Sequence, residues 1–388
     1  MSRANQPNVL LVHGGAPTSV LNASLAGTVA QLQRQKQTGK ILAARFGSQG
    51  ILDENFIDLS AINSDQLQKL KYTPGSAIGT SRTPLSDPDY ERICEILKKN
   101  KIGAVFFTGG NGSMSACGKI WQQVQQDGIM VVGIPKTIDN DIMVTDHAPG
   151  YASCANYVAA TVKEMAQDVK SLPIHIVVLE VMGRNTGWLA AASALARDEH
   201  TAAPHLICFP EVPFDETVFL TKAETLYRKF GGVIVVASEG LKFKDGTHIV
   251  PPIFQIGQAI YFGDVSSHLA NLIIKKLGIK ARSEKPGILT RCAVPYVIPE
   301  DIVEAEMVGE EAVRTASNGI GGVMIGLKRL STSPYQVELI QIPIEQVMLH
   351  ERVMPKEFMN TAADDVTQDF LDWARPLVNR PQPFISFV

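Results

Sequence analysis

The residues best equipped for chemistry stand together at Pro135-Lys136-Thr137-Ile138-Asp139-Asn140-Asp141. An apolar run of strand type, Ile129 to Ile134, leads into the proline and then delivers a lysine, a hydroxyl and two carboxylates. Ligands of open α/β sheets bind just outside the carboxyl ends of the strands, so a strand running into such groups is a candidate site. In extended backbone Asp139 and Asp141 would share one side, with Asn140 turned away. One carboxylate could then take a proton while the other orients a partner or a metal ion. The same residues would also suit a polar loop whose Asx turns cap the next helix, and this stretch alone leaves both readings open.

Further strand-end groups repeat the pattern. Gly14-Gly15 follows the first strand, where missing side chains let backbone approach an anion, although a tight turn would also select glycine. Gly109-Gly110-Asn111-Gly112-Ser113 joins a strand to a helix start, yet neither the Walker A spacing nor the dinucleotide fingerprint is present. Gly79-Thr80-Ser81-Arg82 offers an arginine that could steady a transferred phosphoryl group or simply be solvated. Met182-Gly183-Arg184 follows a strongly apolar strand, and Glu239-Gly240 follows another, offering a carboxylate to hydroxyls. Arg282 and Arg291, nine residues apart around Pro286-Gly287, could grip one phosphate. Anion- and hydroxyl-binding groups at so many strand ends are hard to explain by structure alone.

The elements that must position these groups alternate. Short β-rich runs (Asn8–Val12, Ile41–Phe46, Ala104–Thr108, Ile129–Ile134, Ile174–Val181, His205–Phe209, Gly232–Ala237) are separated by helical patterns such as Ser19–Gln35 and Tyr151–Val169. That rhythm predicts an α/β fold with mainly parallel sheets covered by helices. Helix starts after strand ends also provide unpaired amides and a positive dipole end for anions. At 388 residues, two domains are expected. A net charge of -3 gives no electrostatic case for nucleic acid or an anionic membrane surface. The apolar runs are too short to cross a bilayer, and the only apolar run near the N-terminus, Val9–Val12, does not make a signal peptide. Five scattered cysteines without a CxxC fit a reducing cytoplasm.

Pro135 to Asp141 is similar to the most specific motif of the phosphofructokinase-A family, and Gly109–Met114, Met182–Arg184 and Glu239–Gly240 follow in that family's order. The resemblance runs from about Leu10 to Arg329, and Thr145–Gly150 and Arg291–Ala293 look most like the family's bacterial pyrophosphate-using branch. It implies two Rossmann-like lobes with the active site in the cleft between them. Residues 1–150 plus a return near 292–330 would bind the donor, and residues 151–291 plus a tail 331–388 would bind the sugar phosphate. It further implies transfer to the 1-hydroxyl of fructose 6-phosphate with Mg²⁺, in a homodimer or homotetramer. Asp139 would be the base, Asp141 would hold the base or Mg²⁺ with Asn111, and Thr137 would contact sugar or phosphoryl group. Arg82 and Arg184 would steady the phosphoryl group; Met182, Gly183 and Glu239 would line the sugar; Arg282 and Arg291 would hold its 6-phosphate, one of them from a neighbouring subunit. Gly15, Gly109, Gly110, Asn111, Gly112, Ser113 and Lys136 would bind the donor.

Several positions depart from the family. Asn111 stands where ATP users carry Asp, His175 where a phosphate-binding arginine is usual, and Ile288 where a histidine or tyrosine is usual, so the sugar-phosphate clamp is light. Two markers of the donor disagree. Pyrophosphate users carry an Asp at the position of Gly112, filling space that the ATP α-phosphate needs, whereas Lys136 resembles the pyrophosphate users. Ranking steric room above charge makes ATP the expected donor and pyrophosphate the alternative. A silent sugar-phosphate- or nucleotide-binding paralogue, or a kinase of another sugar phosphate, is a further alternative.

Overall fold

The computed structural model describes residues 6–36, 38–256, 259–348, 350–379 and 382–387, with the side chains of 255–262 left aside. Its strands are β1 (Asn8–His13), β2 (Ile41–Ala44), β3 (Phe56–Asp58), β4 (Ile102–Gly109), β5 (Met130–Pro135), β6 (Ile176–Val181), β7 (Leu206–Cys208), β8 (Val233–Ser238), β9 (Pro252–Ile256), β10 (Ala259–Phe262), β11 (Ala281–Glu284), β12 (Val323–Thr332) and β13 (Tyr335–Pro343). The fold is α/β, and the chain divides into two compact units, Met1–Ser153 with Arg291–Arg352 and Cys154–Thr290 with Val353–Val388.

In the first unit a seven-stranded sheet runs β13-β12-β5-β4-β1-β2-β3, antiparallel only at its two outer pairs. Alternation along β1 sends Leu10 and Val12 to one face and Val9 and Leu11 to the other. The first face packs on Ile93, Ile96 and Leu97 of helix Asp87–Lys99 and on Cys117 and Ile120 of helix Asn111–Val124. The second packs on Leu25, Val29 and Leu32 of helix Leu21–Gln35 and on Val308 and Ala312 of helix Pro299–Ser317. Strands buried on both faces read as continuous apolar runs, which is why β4 and β5 are so legible. The returning segment extends to Arg352 instead of ending near residue 330. Residues 331–352, expected in the tail of the second lobe, join the first unit because β13 pairs antiparallel with β12 over Val323–Thr332.

The second unit holds a four-stranded parallel sheet, β11-β6-β8-β7, and a two-stranded hairpin, β9–β10. Its core joins Ile176 and Val178 of β6 and Val233 and Val235 of β8 to Phe219 and Leu269 of the covering helices. The tail contributes Phe370 and Trp373, the latter with its ring centroid 5.0 Å from that of Trp188. Among the described residues no helix is long and apolar enough to cross a membrane.

Candidate active site

In the first unit three adjacent parallel strands end side by side. His13 of β1 is in register with Thr108 of β4, and Gly109 of β4 with Pro135 of β5. The loops that follow are sewn together by backbone: Gly14 N donates to Thr108 O at 2.9 Å, Lys136 N to Gly109 O at 3.0 Å and Gly15 N to Ser81 O at 3.0 Å. A Cβ on Gly14 or Gly109 would lie 2.2 or 2.0 Å, respectively, from Ser113 Oγ, and at 109 it would also lie 2.4 Å from Ser113 Cβ, so glycine is required at 109. Gly15, at φ +74°, sits where its Cβ would be 3.6 Å from Lys136 Nζ. Gly110 precedes the Asn111–Val124 helix, whose first-turn amides at Asn111 and Gly112 have no intrahelical carbonyl to meet. A Cβ on Gly112 would meet open space.

Of the two readings the sequence left open for the carboxylate loop, extended backbone and polar turn, the structure has the turn. Asn140 adopts φ +54° and is fully buried, its Oδ1 accepting from Ala148 N at 3.2 Å. This left-handed residue replaces the shared-side arrangement of a strand with a bend that is locked from outside. Thr137 then becomes the hinge of the site: its Oγ1 donates to Asp141 Oδ1 at 3.0 Å and accepts from Asp139 N at 3.0 Å. Asn111 Nδ2 donates to Asp141 Oδ2 at 2.9 Å and to the Asp141 carbonyl at 3.1 Å. Burial pushes the Asp141 carboxyl up, with Glu351 adding to it, against the hydrogen bonds from Thr137 and Asn111. Lys136 is 3% exposed, and its ammonium donates to the Ala16 carbonyl. Burial brings its pKa down to about 8, against the pull of Asp139, with Arg82 and Arg291 reinforcing the depression.

Among the described residues no group of three or more His, Cys, Asp or Glu side chains is placed to hold a metal ion. Asn111 Oδ1, however, is buried without a hydrogen-bond partner, because the amide nitrogen is committed to Asp141. A bare oxygen beside a carboxylate suits Mg²⁺, which takes one or two protein oxygens and completes its shell with water and phosphate.

The second unit assembles its own groups at the ends of β6 and β8. Gly183 has φ +130°, and a Cβ there would meet Thr186 O at 2.6 Å; Arg184 follows with φ +44°. Thr186 N donates to Gly183 O at 2.8 Å, closing the turn. Gly240 has no room for a side chain either, since a Cβ would lie 1.6 Å from Arg184 O. Glu239 is thereby held against this turn; burial raises its carboxyl, and Arg184 opposes. Met182 Sδ accepts from Thr290 Oγ1 at 3.4 Å. Arg282, in register with Val177, and His175 line a cavity of about 540 Å³ with Glu164 and Lys285. His175 is 2% exposed, and burial together with Arg282 lowers its pKa, so it is neutral at neutral pH. Arg282 belongs to the second unit and Arg291 to the first, where Arg291 acts electrostatically on Lys136.

The family pattern described as Phosphofructokinase matches residues 8–316. The chain belongs to the phosphofructokinase family. A member from Rhodospirillum rubrum, named pyrophosphate–fructose 6-phosphate 1-phosphotransferase, is 35% identical over 387 residues, covering 97% of this chain and 95% of that protein. A sulfofructose kinase from Alkalicoccus urumqiensis is 30% identical over 378 residues, covering 96% of both. The crystal structure of the pyrophosphate-dependent phosphofructokinase of Marinobacter aquaeolei matches with a TM-score of 0.87 at 32% identity, covering 98% of this chain and 94% of that one.

Two features escaped the reading of the sequence. His13 ends β1 in the middle of the site, where its Nδ1 meets Ser76 Oγ at 2.8 Å. His147 is wholly buried, with Nδ1 2.9 Å from Asp146 and Nε2 2.7 Å from Glu304, which also accepts from Tyr335 Oη at 2.6 Å. Arg352 ties that segment to the carboxylate turn, its side chain donating to Thr145 O at 2.8 Å and its amide to Asp141 O at 2.8 Å. The only signal for it in the sequence was the Thr145–Gly150 motif, which read as a family marker without a mechanical role.

Proposed function

We propose that this chain is a phosphofructokinase that moves a phosphoryl group from pyrophosphate to the 1-hydroxyl of fructose 6-phosphate. The observation that carries this reading is the Thr137 hydroxyl holding Asp139 and Asp141 in one turn beside the buried Lys136. Phosphoryl transfer requires positioning and charge neutralisation more than covalent chemistry. Asp139 takes the proton of the attacking hydroxyl. Arg82 and Arg184 neutralise the phosphoryl group in transit, while Met182, Gly183 and Glu239 align the sugar and Arg282 and Arg291 hold its carbon-6 anion. Gly15, Gly109, Gly110, Gly112, Ser113 and Lys136 bind the donor, which makes the first unit the donor side and the second the sugar side. Asn111 and Asp141 would hold Mg²⁺, and the ion would supply neutralising charge to the donor phosphates. As the resemblance implies, the working unit is at least a dimer.

The expectation of ATP gives way. Gly112 faces open space, which removes an obstacle to a nucleotide but makes no contact with one. Lys136, in contrast, places a cation inside the donor loops. The Rhodospirillum relative and the Marinobacter structure, both named for pyrophosphate, support the same choice. Fructose 6-phosphate-dependent release of orthophosphate from pyrophosphate tests the reading. Its absence in Mg²⁺-containing buffer, with ATP active instead, would reverse the donor assignment; inactivity with both donors would favour a silent binding protein.

One observation favours a second acceptor. The neutral His175 and the 62% exposed Ile288 leave the carbon-6 anion without the added cation and hydrogen bond that the family usually provides. A sulfonate carries one negative charge where a phosphate carries two, and the sulfofructose kinase is a relative over nearly the whole chain. Parallel assays with the phosphorylated and sulfonated sugars decide between them by kcat/KM.

A further inference from the structure

Lys136 is more than a fixed charge in its surroundings. Its amide is anchored on Gly109 O, and its ammonium on the Ala16 carbonyl. The charged groups that act on it come from every neighbouring segment: Asp139 and Asp141 from its own loop, Arg82 from the turn after Gly79, and Arg291 from the returning segment. His13, at the end of β1, faces it too. Ser76 Oγ donates to Gly79 O, so it accepts from His13 Nδ1–H, which leaves Nε2 as a buried acceptor without a partner. Burial and Lys136 hold the His13 pKa down at about 3, so this imidazole carries no transferable proton at neutral pH.

Elimination follows from these identities. Arg82 and Arg291 cannot lose a proton in a protein. Asp139 and Asp141 act as acceptors, and His13 is neutral. Of this cluster, Lys136 alone can release a proton near neutrality, and burial has brought its pKa down to about 8. Two arginines already supply permanent charge, which a third would have increased more simply than a desolvated lysine.

The chemistry of pyrophosphate needs such a proton. When the sugar O1–P bond forms and the bridging P–O bond breaks, the leaving group is orthophosphate, a trianion far more basic than the ADP that leaves ATP. We propose that Lys136 is the general acid that protonates the departing bridge oxygen, so that the leaving group departs as HPO₄²⁻. The inference rests on the pyrophosphate reading above. The step balances as ROH + P₂O₇⁴⁻ → ROPO₃²⁻ + HPO₄²⁻. Asp139 accepts the hydroxyl proton, Lys136 gives one to phosphate, and proton return from Asp139 through solvent restores both groups. In reverse, the neutral amine of Lys136 removes the proton from HPO₄²⁻ as it attacks.

The test compares wild type with Lys136→Arg, which keeps the charge but has no proton to give, measuring kcat against pH at saturating Mg²⁺, sugar phosphate and pyrophosphate. The expected result is a fall in forward kcat of about 10²–10⁴-fold, with the alkaline limb of the wild-type profile abolished and the KM for pyrophosphate changed only a few-fold. Lys136→Arg with near-wild-type kcat and the same alkaline limb would overturn the proposal. Wild type alone gives a second measurement that needs no variant: as pH rises forward kcat falls and reverse kcat rises, each through the lysine pKa of its own substrate complex. A reverse reaction without that rise overturns it equally. Failure of the donor reading is separately visible, as wild type that does not turn over pyrophosphate at all.

Discussion

Transfer from pyrophosphate to the sugar hydroxyl depends first on a single proton acceptor. Replacing Asp139 with Asn removes the proposed base while keeping the side chain's size and the backbone amide that bonds Thr137. A kcat loss of about 10²–10⁴-fold is expected in steady-state assays, with the KM for the sugar phosphate little changed; near-normal kcat would remove Asp139 from its role. Gly112→Asp fills space that is open in the structure, so pyrophosphate turnover is expected to persist while any ATP turnover falls. At this scale the sequence was generous with identities and silent about conformation. Asp139, Asp141, Thr137 and Asn111 were all visible as types at strand ends. The left-handed Asn140 was not, because its φ is imposed by Ala148, eight residues away. His13 stayed hidden because one histidine after a strand carries no pattern.

Elements hold the turn in place, and two of their packings make sharp predictions. Helices Leu21–Gln35 and Pro299–Ser317 cross with their backbones nearly touching: a Cβ on Gly27 would lie 2.4 Å from Glu306 O, and one on Gly309 2.3 Å from Ser24 O. Either change to Ala forces backbone apart, and urea unfolding should register a loss of roughly 1–3 kcal/mol or more. The His147 cluster joins the carboxylate turn's flank to helix Pro299–Ser317 and to β13. Burial disfavours the imidazolium, but Glu304 first and then Asp146 outweigh it, raising the pKa to about 9. A folded pKa raised above 6.5 stabilises fully below pH 6.5 and loses that contribution as pH climbs through about 9. The Tm gap between wild type and His147→Gln is therefore expected to be widest near pH 6 and to narrow toward pH 10. At full value the underlying stability difference is on the order of 2–4 kcal/mol. Element types were readable because β1, β4, β5, β6 and β8 are buried on both faces and spell continuous apolar runs. The helix crossing was not, since a glycine within a helical pattern does not announce its neighbour.

For the molecule as a whole, the alternation of strands and helices foretold an α/β chain in two parts, but not where the chain changes sides. The hairpin of β12 and β13 draws residues up to Arg352 into the first unit, a consequence of strand pairing that no local composition records. The residues proposed to bind the donor belong to one unit and most of those proposed to bind the sugar to the other, so neither unit expressed alone should retain turnover. Chelation of Mg²⁺ should abolish activity reversibly if Asn111 and Asp141 hold the ion. The most direct test of the central claim is a comparison of kcat/KM for pyrophosphate and for ATP, with purified protein, fructose 6-phosphate and Mg²⁺. The expected preference for pyrophosphate is about 10²-fold or more, equivalent to roughly 2.7 kcal/mol of transition-state stabilisation. Equal or greater kcat/KM with ATP would contradict it.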